Sequence, residues 1–144
     1  MLYTTKSYKQ TQRLGEKLAK EIVKNGPKNH AVVLSLKGNL GGGKTTFLQG
    51  FAKGLGSKEK ILSPTFVILK RFKLAGKFKN FYHIDCYRLK SSKDILELDF
   101  KKLVLDPENI IAIEWPEKIK KVLPKKTIEI GFKFVDDKTR ELTF

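Results

Sequence analysis

A glycine-rich segment between two apolar runs constrains the fold of this 144-residue chain more than any other feature. Residues 38–45 read Gly-Asn-Leu-Gly-Gly-Gly-Lys-Thr, in which two glycines separated by four residues are followed by lysine and threonine. A short apolar run at 31–36 precedes the segment, and a stripe at helical spacing follows it, formed by Leu48, Phe51, Ala52 and Leu55. A buried strand, a glycine turn and a helix in this order are typical of a loop that binds the phosphates of a nucleotide.

The residue types within the loop indicate which atoms would contact a nucleoside triphosphate. Backbone N–H groups at the start of the helix, aided by its dipole, are expected to face the β-phosphate, and glycine lets the main chain approach closely. Lys44 is expected to bridge the β- and γ-phosphates, and the Thr45 hydroxyl is expected to ligate Mg²⁺. The predicted ligand is therefore ATP with Mg²⁺, and its predicted cradle consists of Leu40, Gly41, Gly42, Gly43, Lys44, Thr45 and Thr46.

Two acidic residues follow strand-like runs and are candidates for contacting the metal and the attacking water. Glu114 comes directly after the run 110–113, and Asp85 ends the run that begins at 81. Ligands of open α/β sheets bind beside the carboxyl ends of the strands, so both acids are expected near the phosphate loop. We assign Glu114 to Mg²⁺ and Asp85 to orienting or activating the attacking water, with the reverse assignment as the alternative.

Four further positions each have two interpretations. The hydroxyls of Ser-Pro-Thr at 63–65 either sense the γ-phosphate or belong to an ordinary loop. His83 shares a strand face with Asp85, so it either orients that carboxylate or packs, and packing is favoured. Trp115 is expected to be a core or interface aromatic rather than a base-stacking platform. Arg88 is expected to pair with an acid or to reach phosphate.

The remaining runs alternate between strand-like and helix-like patterns. Residues 2–5 are expected to form a first strand, and 8–25 a helix that ends at Gly26-Pro27. Further expected elements are strands at 66–74, 79–87, 127–135 and 139–144, with hairpin turns around Gly76 and at 136–138, and a partly helical stretch at 91–105. This order predicts an α/β fold, a P-loop NTPase-like three-layer sandwich with a mixed, mainly parallel central sheet and hairpin additions, formed by one domain over residues 1–144.

Composition disfavours some classes of protein. No run approaches the roughly 20 apolar residues of a membrane helix, so a soluble protein is expected. The single cysteine, Cys86, fits a reducing cytosol. The formal net charge is +15, from 30 Lys and Arg against 15 Asp and Glu. Only four of these cations are arginines, the residue best suited to bidentate phosphate contacts, so a solvated lysine-rich surface is favoured over a dedicated RNA-binding surface.

Four motifs together resemble the TsaE family, formerly called YjeE. They are Gly-Asn-Leu-Gly-Gly-Gly-Lys-Thr-Thr at 38–46, Ser-Pro-Thr-Phe at 63–66, His-Ile-Asp-Cys-Tyr-Arg-Leu at 83–89 and Ile-Glu-Trp-Pro-Glu at 113–117. They occur in the order and spacing of that family. Thr11, with the pairs Leu14-Gly15 and Leu18-Ala19, is similar to the family's opening helix. The resemblance spans nearly the whole chain.

The resemblance implies a cytoplasmic ATPase that acts with the TsaB–TsaD heterodimer to form threonylcarbamoyladenosine beside the anticodon of tRNA. It implies slow ATP hydrolysis by the isolated protein, binding to the TsaD side of the assembly, and a reset of the complex by hydrolysis. It also carries over Thr45 and Glu114 as Mg²⁺ ligands, residues 40–45 as the nucleotide cradle, Asp85 as an acid critical for activity, and Trp115 as a signature aromatic.

The chain departs from the family pattern at three places. Gly42 stands where alanine is common, a change that is expected to be harmless. Residues 97–99 read Glu-Leu-Asp where many members have Glu-Leu-Gly, so the resemblance does not imply the turn at this point or the surface that it forms. The C-terminal hairpin matches by pattern only, and no motif supports a contact between Arg140 and the nucleotide.

Two functions from other classes compete with this one. A small-molecule kinase also uses a P-loop, but such kinases close an arginine-bearing lid over the phosphoryl group, and this chain has few arginines and no long insertion. A basic RNA-binding module with a non-essential nucleotide site would show tight, salt-sensitive tRNA binding by the isolated protein. The sequence has neither the Asn-Lys-x-Asp segment of GTPases nor the Leu-Ser-Gly-Gly-Gln signature of transporter ATPases.

Overall fold

A seven-stranded mixed sheet forms the centre of the computed structural model, which describes residues 1–39, 43–61, 69–96 and 99–144. The strand order is β1-β7-β6-β2-β5-β4-β3, and the strands are β1 (Leu2–Thr5), β2 (Val32–Lys37), β3 (Leu69–Lys73), β4 (Asn80–Asp85), β5 (Asn109–Glu114), β6 (Ile128–Phe134) and β7 (Arg140–Thr143). The four central strands, β6, β2, β5 and β4, run parallel, and antiparallel neighbours flank them on both sides. The predicted fold class is confirmed.

Helices cover both faces of this sheet and make three layers. The residues of β5 alternate, so that Ile110 and Ala112 join one core cluster while Ile111 and Ile113 join the other. The first cluster includes buried residues of α1 (Tyr8–Asn25) and α2 (Lys44–Gly54). The second includes residues of α3 (Ser92–Leu96), α4 (Phe100–Leu105) and a 3₁₀ segment (Pro116–Val122). Of these three elements, the sequence pattern had not indicated the 3₁₀ segment.

Helix α1 has the predicted bounds, but mostly small residues form its buried stripe. The Ser7 hydroxyl accepts the N–H of Gln10 at its start, and Gly26 ends it with a φ of 73°. Its buried residues are Thr11, Gly15, Ala19 and Ile22; of the apolar side chains Leu14, Leu18 and Ile22, whose helical spacing predicts the buried stripe, Leu14 and Leu18 are only partly buried. Small side chains occupy the centre of the stripe because α2 approaches closely there.

Several predicted elements differ in their bounds. Strand β4 ends at Asp85 rather than 87, because the Leu89 N–H donates to the Cys86 carbonyl and turns the chain. The segments 62–68 and 97–98, which include the Ser-Pro-Thr segment and the start of the predicted strand 66–74, lie outside the described residues. Within the described part of the chain, no helix is long and apolar enough to span a membrane.

Asp99 lies at one of the places where the chain departs from the family pattern. Asp99 has φ 57° and ψ 36°, the left-handed conformation that glycine adopts most easily. Aspartate is one of the few other residues that visits this region routinely. Asp99 therefore places a left-handed residue directly before α4.

Candidate functional site

The parallel strands bring three sequence-predicted segments to one edge of the sheet. Strand β2 ends at Lys37, directly before Gly38, and its neighbour β5 ends at Glu114. On the far side of β5, Asp85 at the end of β4 lies in register with Glu114. The start of the glycine loop and the two predicted acids therefore meet at the carboxyl ends of three adjacent strands, as the sequence predicted.

Helix α2 begins at this edge, and its N-cap residue, Gly43, has no side chain that could cap it. Gly43 precedes the helix with a φ of 97°, a left-handed conformation that favours glycine. The first-turn residues are Lys44, Thr45 and Thr46, whose N–H groups have no partner within an α-helix. Such a terminus suits an anion, because its free N–H groups and the helix dipole both favour negative charge. Of the predicted cradle, Leu40, Gly41 and Gly42 lie outside the described residues.

The ammonium of Lys44 is buried at the centre of the site. Its Nζ donates to the Gly38 carbonyl oxygen at 2.6 Å and lies 4.1 Å from the centroid of the Trp115 ring. Burial lowers the pKa of Lys44, and the negative charges of Glu114, Asp85 and Glu117 partly oppose that effect. A cation that is kept out of water in this way has a strong tendency to pair with an incoming anion.

Glu114 is held by a residue for which the sequence suggested a different role. His83 Nε2 lies 2.6 Å from Glu114 Oε2, and the side chains are only 3% and 7% exposed. The sequence had suggested that His83 orients Asp85 or, preferably, packs. His83 is buried, as the preferred interpretation required, and its ring also has a polar partner on the neighbouring strand.

Asp85 is half-buried and is positioned by its own backbone. Its Oδ1 accepts the N–H of Tyr87 at 2.9 Å, which closes the turn after β4. Burial raises the pKa of Asp85; the Tyr87 N–H lowers it, and the nearby Glu114 raises it further. One oxygen is thus committed to the turn, and the carboxylate retains its other oxygen for a further contact.

Trp115 joins the core to the site. It packs against the second core cluster, in agreement with the expectation of a core aromatic, and its ring also covers Lys44. The exposed ring of Tyr87 lies 5.0 Å from it, between centroids. Trp115 has φ 56° and ψ 54°, a left-handed conformation that costs a non-glycine residue about 1–2 kcal/mol. Such strain is commonly found at functional sites.

Two residues that are distant in sequence, Thr11 and Arg140, lie beside Gly43 of the glycine loop. A Cβ placed on Gly43 would lie 3.6 Å from Thr11 Cγ2 and 3.5 Å from Arg140 Cγ. The guanidinium of Arg140 donates to the carbonyl oxygens of Asp136 and Thr139 and lies 4.6 Å from the Phe134 ring centroid. The β6–β7 hairpin and α1 therefore form one wall of the site.

The donor set agrees with the chemistry of Mg²⁺. This ion takes oxygen ligands and binds proteins through one or two carboxylates together with substrate phosphates and water. The site offers the Glu114 carboxylate and, in the first turn of α2, the half-buried Thr45 hydroxyl. The described residues contain no group of three or more His, Cys, Asp or Glu that could hold a metal ion. The residues present thus fit an ion held jointly by protein and phosphate.

Comparison with known proteins finds relatives over most of the chain. The family described as "Threonylcarbamoyl adenosine biosynthesis protein TsaE" matches residues 5–142. A tRNA threonylcarbamoyladenosine biosynthesis protein TsaE of Bacillus subtilis is 38% identical over 112 residues, 78% of this chain and 68% of that protein. Its namesake in Rickettsia prowazekii is 36% identical over 140 residues, 96% and 90% of the two chains. The crystal structure of Bacillus subtilis YdiB has a TM-score of 0.73 at 31% identity and covers 99% of this chain and 82% of that one.

Proposed function

Since the chain belongs to the TsaE family of threonylcarbamoyladenosine biosynthesis proteins, we propose that it is an Mg²⁺-dependent ATPase of that pathway. One observation carries this proposal: beside the start of α2, the buried ammonium of Lys44 lies near enough to the carboxylates of Asp85 and Glu114 for their charges to affect its pKa. The cation and the helix N-terminus suit a polyphosphate, whereas the acids suit a metal ion and an attacking water.

Each residue has a proposed role in hydrolysis. Residues 40–46 form the cradle with their backbone amides, and Lys44 leaves the Gly38 carbonyl to contact the β- and γ-phosphates. Thr45 and Glu114 hold Mg²⁺, which when bound supplies positive charge to the phosphate oxygens. Asp85 accepts a hydrogen bond from the attacking water with the oxygen that Tyr87 does not use. Exchange of the roles of the two acids is the alternative assignment.

The proposed partners are the TsaD and TsaB proteins, with tRNA reached through their complex in the cytoplasm. The described residues of the site form no lid of arginines and include no strong base, so a low rate of hydrolysis is expected for the isolated chain. Contact with TsaD completes the site, and hydrolysis then resets the complex between rounds of tRNA modification. This order of events explains why a nucleotide site belongs to a tRNA-modifying pathway.

The proposal is tested by calorimetry and by reconstitution. Titration with Mg·ATP should show saturable association, and phosphate release should be slow alone and rise when purified TsaB and TsaD from the same organism are added. The Lys44→Ala variant should fail in both measurements. Absence of association with Mg·ATP, or equal phosphate release by the Lys44→Ala variant, would contradict the proposal.

One observation favours a second candidate function, direct binding of RNA. Five exposed cations recur every three or four residues on α1 and so share one face of that helix: Lys9, Arg13, Lys17, Lys20 and Lys24. Two acids interrupt the stripe, Glu16 and Glu21, and Lys20 pairs with Glu16 at 3.1 Å. RNA binding by the stripe requires that tRNA affinity of the isolated chain falls steeply as salt is raised; an affinity that barely changes removes this candidate.

A further inference from the structure

His83 is a buried polar residue that is hydrogen-bonded to the proposed metal ligand Glu114, and hydrolysis as described above gives it no role. It lies on β4 opposite Ala112 of β5, two residues before the register pair Asp85 and Glu114. Its side chain reaches diagonally across the strand pair to Glu114 instead of pointing along its own strand to Asp85. Only 4% of the residue is exposed, so water does not substitute for this contact.

The geometry defines what the contact does to Glu114. An ionised carboxylate has no hydrogen to give, so His83 Nε2 is the donor and Glu114 Oε2 the acceptor, at 2.6 Å. Glutamate has three rotatable side-chain bonds, and ordering them costs conformational entropy each time a ligand is bound. A hydrogen bond from a rigid ring in the sheet orders the carboxylate before any ligand arrives. Because a carboxylate accepts on both oxygens, the bond is compatible with a second partner.

We propose that His83 is a positioning residue that holds the Glu114 carboxylate ready to bind the Mg²⁺ of a nucleotide complex. The inference rests on the proposed function and deepens it, since it assigns a residue that acts on the metal only through Glu114. Hydrogen bonds to metal-binding carboxylates and histidines commonly change metal affinity by about 10- to 100-fold when they are removed.

A matched pair of substitutions separates positioning from simple packing. In His83→Gln the amide nitrogen occupies about the place of Nε2, so the donor to Glu114 is kept. In His83→Asn the amide lies nearer the backbone, about where Nδ1 was, and does not reach Oε2. Asparagine is one methylene smaller than glutamine and loses more packing, so the measurement in EDTA and the Glu114→Ala background are needed to separate that loss from the loss of the donor.

The measurement is the affinity of the full chain for a non-hydrolysable ATP analogue, by calorimetry, in Mg²⁺ and in EDTA. We expect His83→Asn to weaken binding in Mg²⁺ by about tenfold and to leave binding in EDTA unchanged. His83→Gln should stay within about threefold of wild type in both conditions. In a Glu114→Ala background, His83→Asn should have no further effect, because the group it positions is absent.

Three results with the His83→Asn variant would overturn the inference. They are equal affinities of wild type and His83→Asn in Mg²⁺, a loss of the same size in EDTA, and a loss that persists in the Glu114→Ala background.

A crystal structure of the wild-type chain with the magnesium analogue complex provides a test without substitutions, in case a variant does not fold. His83 and Glu114 should remain within hydrogen-bond distance there, and a Glu114 that has turned away from His83 contradicts positioning. A wild-type chain that binds no analogue in either condition would overturn the proposed function, and with it this inference.

Discussion

At the scale of single residues, the site stores unfavourable free energy in Lys44. Only 5% of this residue is exposed, and within the described part of the chain its ammonium contacts the Gly38 carbonyl oxygen and the Trp115 ring. The contact with Trp115 offsets part of the cost of burial, since a desolvated cation–π contact contributes about 2 kcal/mol. A phosphate would replace the carbonyl with a full negative charge, so the arrangement favours an anion over the ligand-free state.

Replacement of Lys44 by alanine should abolish productive ATP binding and leave the fold intact. The loss of one partner of a buried charge pair costs about 3 kcal/mol, which is roughly a hundredfold in affinity. The fold is expected to persist because the variant no longer buries a charge. Calorimetry with Mg·ATP and thermal unfolding measure the two effects. Lys44→Met, which keeps the length without the charge, is the control; if it binds ATP as wild type does, the charge is not what binds phosphate.

Replacement of Asp85 by asparagine should retain nucleotide binding and lose hydrolysis. Asparagine keeps an oxygen for the N–H of Tyr87, so the turn after β4 is preserved while the charge that would orient water is removed. Removal of a group that accepts a proton or positions the water typically lowers the rate by about 10²- to 10⁴-fold. Phosphate release and analogue affinity are measured together. Asp85→Ala should also lose hydrolysis, although it gives up the acceptor of the Tyr87 N–H as well, and full hydrolysis by either variant would remove Asp85 from the mechanism.

At the scale of elements, glycines determine how closely α1 and α2 pack. A Cβ on Gly50 would overlap the backbone of Gln12, and one on Gly15 would overlap the carbonyl of Phe47. A Cβ on Gly54 would lie 2.6 Å from the carbonyl oxygen of Glu16. The close approach matters for the site, because α1 supplies Thr11 to the wall beside Gly43.

The Gly50→Ala variant should be less stable than wild type. Alanine is the better helix former by about 1 kcal/mol, but its methyl would overlap a backbone carbonyl, and overpacking of this kind costs about 1–3 kcal/mol. We expect the cost of the overlap to exceed the gain in helix propensity, so the urea midpoint of unfolding should fall. Gly131→Ala is the control, because its nearest neighbours are ordinary contacts with Thr143 at 3.8–3.9 Å. Equal midpoints for Gly50→Ala and wild type would mean that the helices separate at no cost.

Asp99 permits a prediction about the turn before α4. Its left-handed conformation penalises a residue with a Cβ by about 1–2 kcal/mol relative to glycine, and its side chain makes no capping bond to α4. Asp99→Gly should therefore be more stable than Asp99→Ala by about 1 kcal/mol in chemical denaturation. The opposite order would show that the turn does not require a left-handed residue.

At the scale of the whole molecule, the sheet separates two apolar cores, and the site lies where both meet its carboxyl edge. Trp115 and Cys86 belong to the second core, whereas Phe47 and Leu48 of α2 belong to the first. The site therefore depends on the packing of both layers, and global unfolding exposes the residues of both cores.

The thiol of Cys86 should report that unfolding. The residue is fully buried, and burial raises the pKa of its thiol to about 12, with further contributions from the negative charges of Asp85 and Glu117. A raised pKa means less thiolate, roughly one part in ten thousand at about pH 8. Iodoacetamide followed by mass spectrometry should find the native protein unmodified and the protein in concentrated guanidinium fully modified. Cys86→Ser controls for reaction elsewhere, and rapid labelling of the native protein would contradict the prediction.

The sequence by itself determined the local parts of this protein. The bounds of α1 followed from helical spacing and from Gly26-Pro27, and the glycine loop between a strand and a helix followed from residue order alone. Both acids were found because a polar residue at the end of an apolar run marks a strand end. These signals are local, since helical and strand periodicity depend on neighbours a few residues away.

Only the tertiary structure decided which of these parts touch. The hydrogen bond from His83 to Glu114 exists because β4 and β5 are parallel neighbours, and the approach of Thr11 and Arg140 to Gly43 brings together the two ends of the chain. The ring of Trp115 over Lys44 likewise depends on the order of β2 and β5 in the sheet. The order of the strands depends on how much apolar surface the whole chain can bury. A short stretch of sequence does not determine that quantity, because every helix and strand contributes to it.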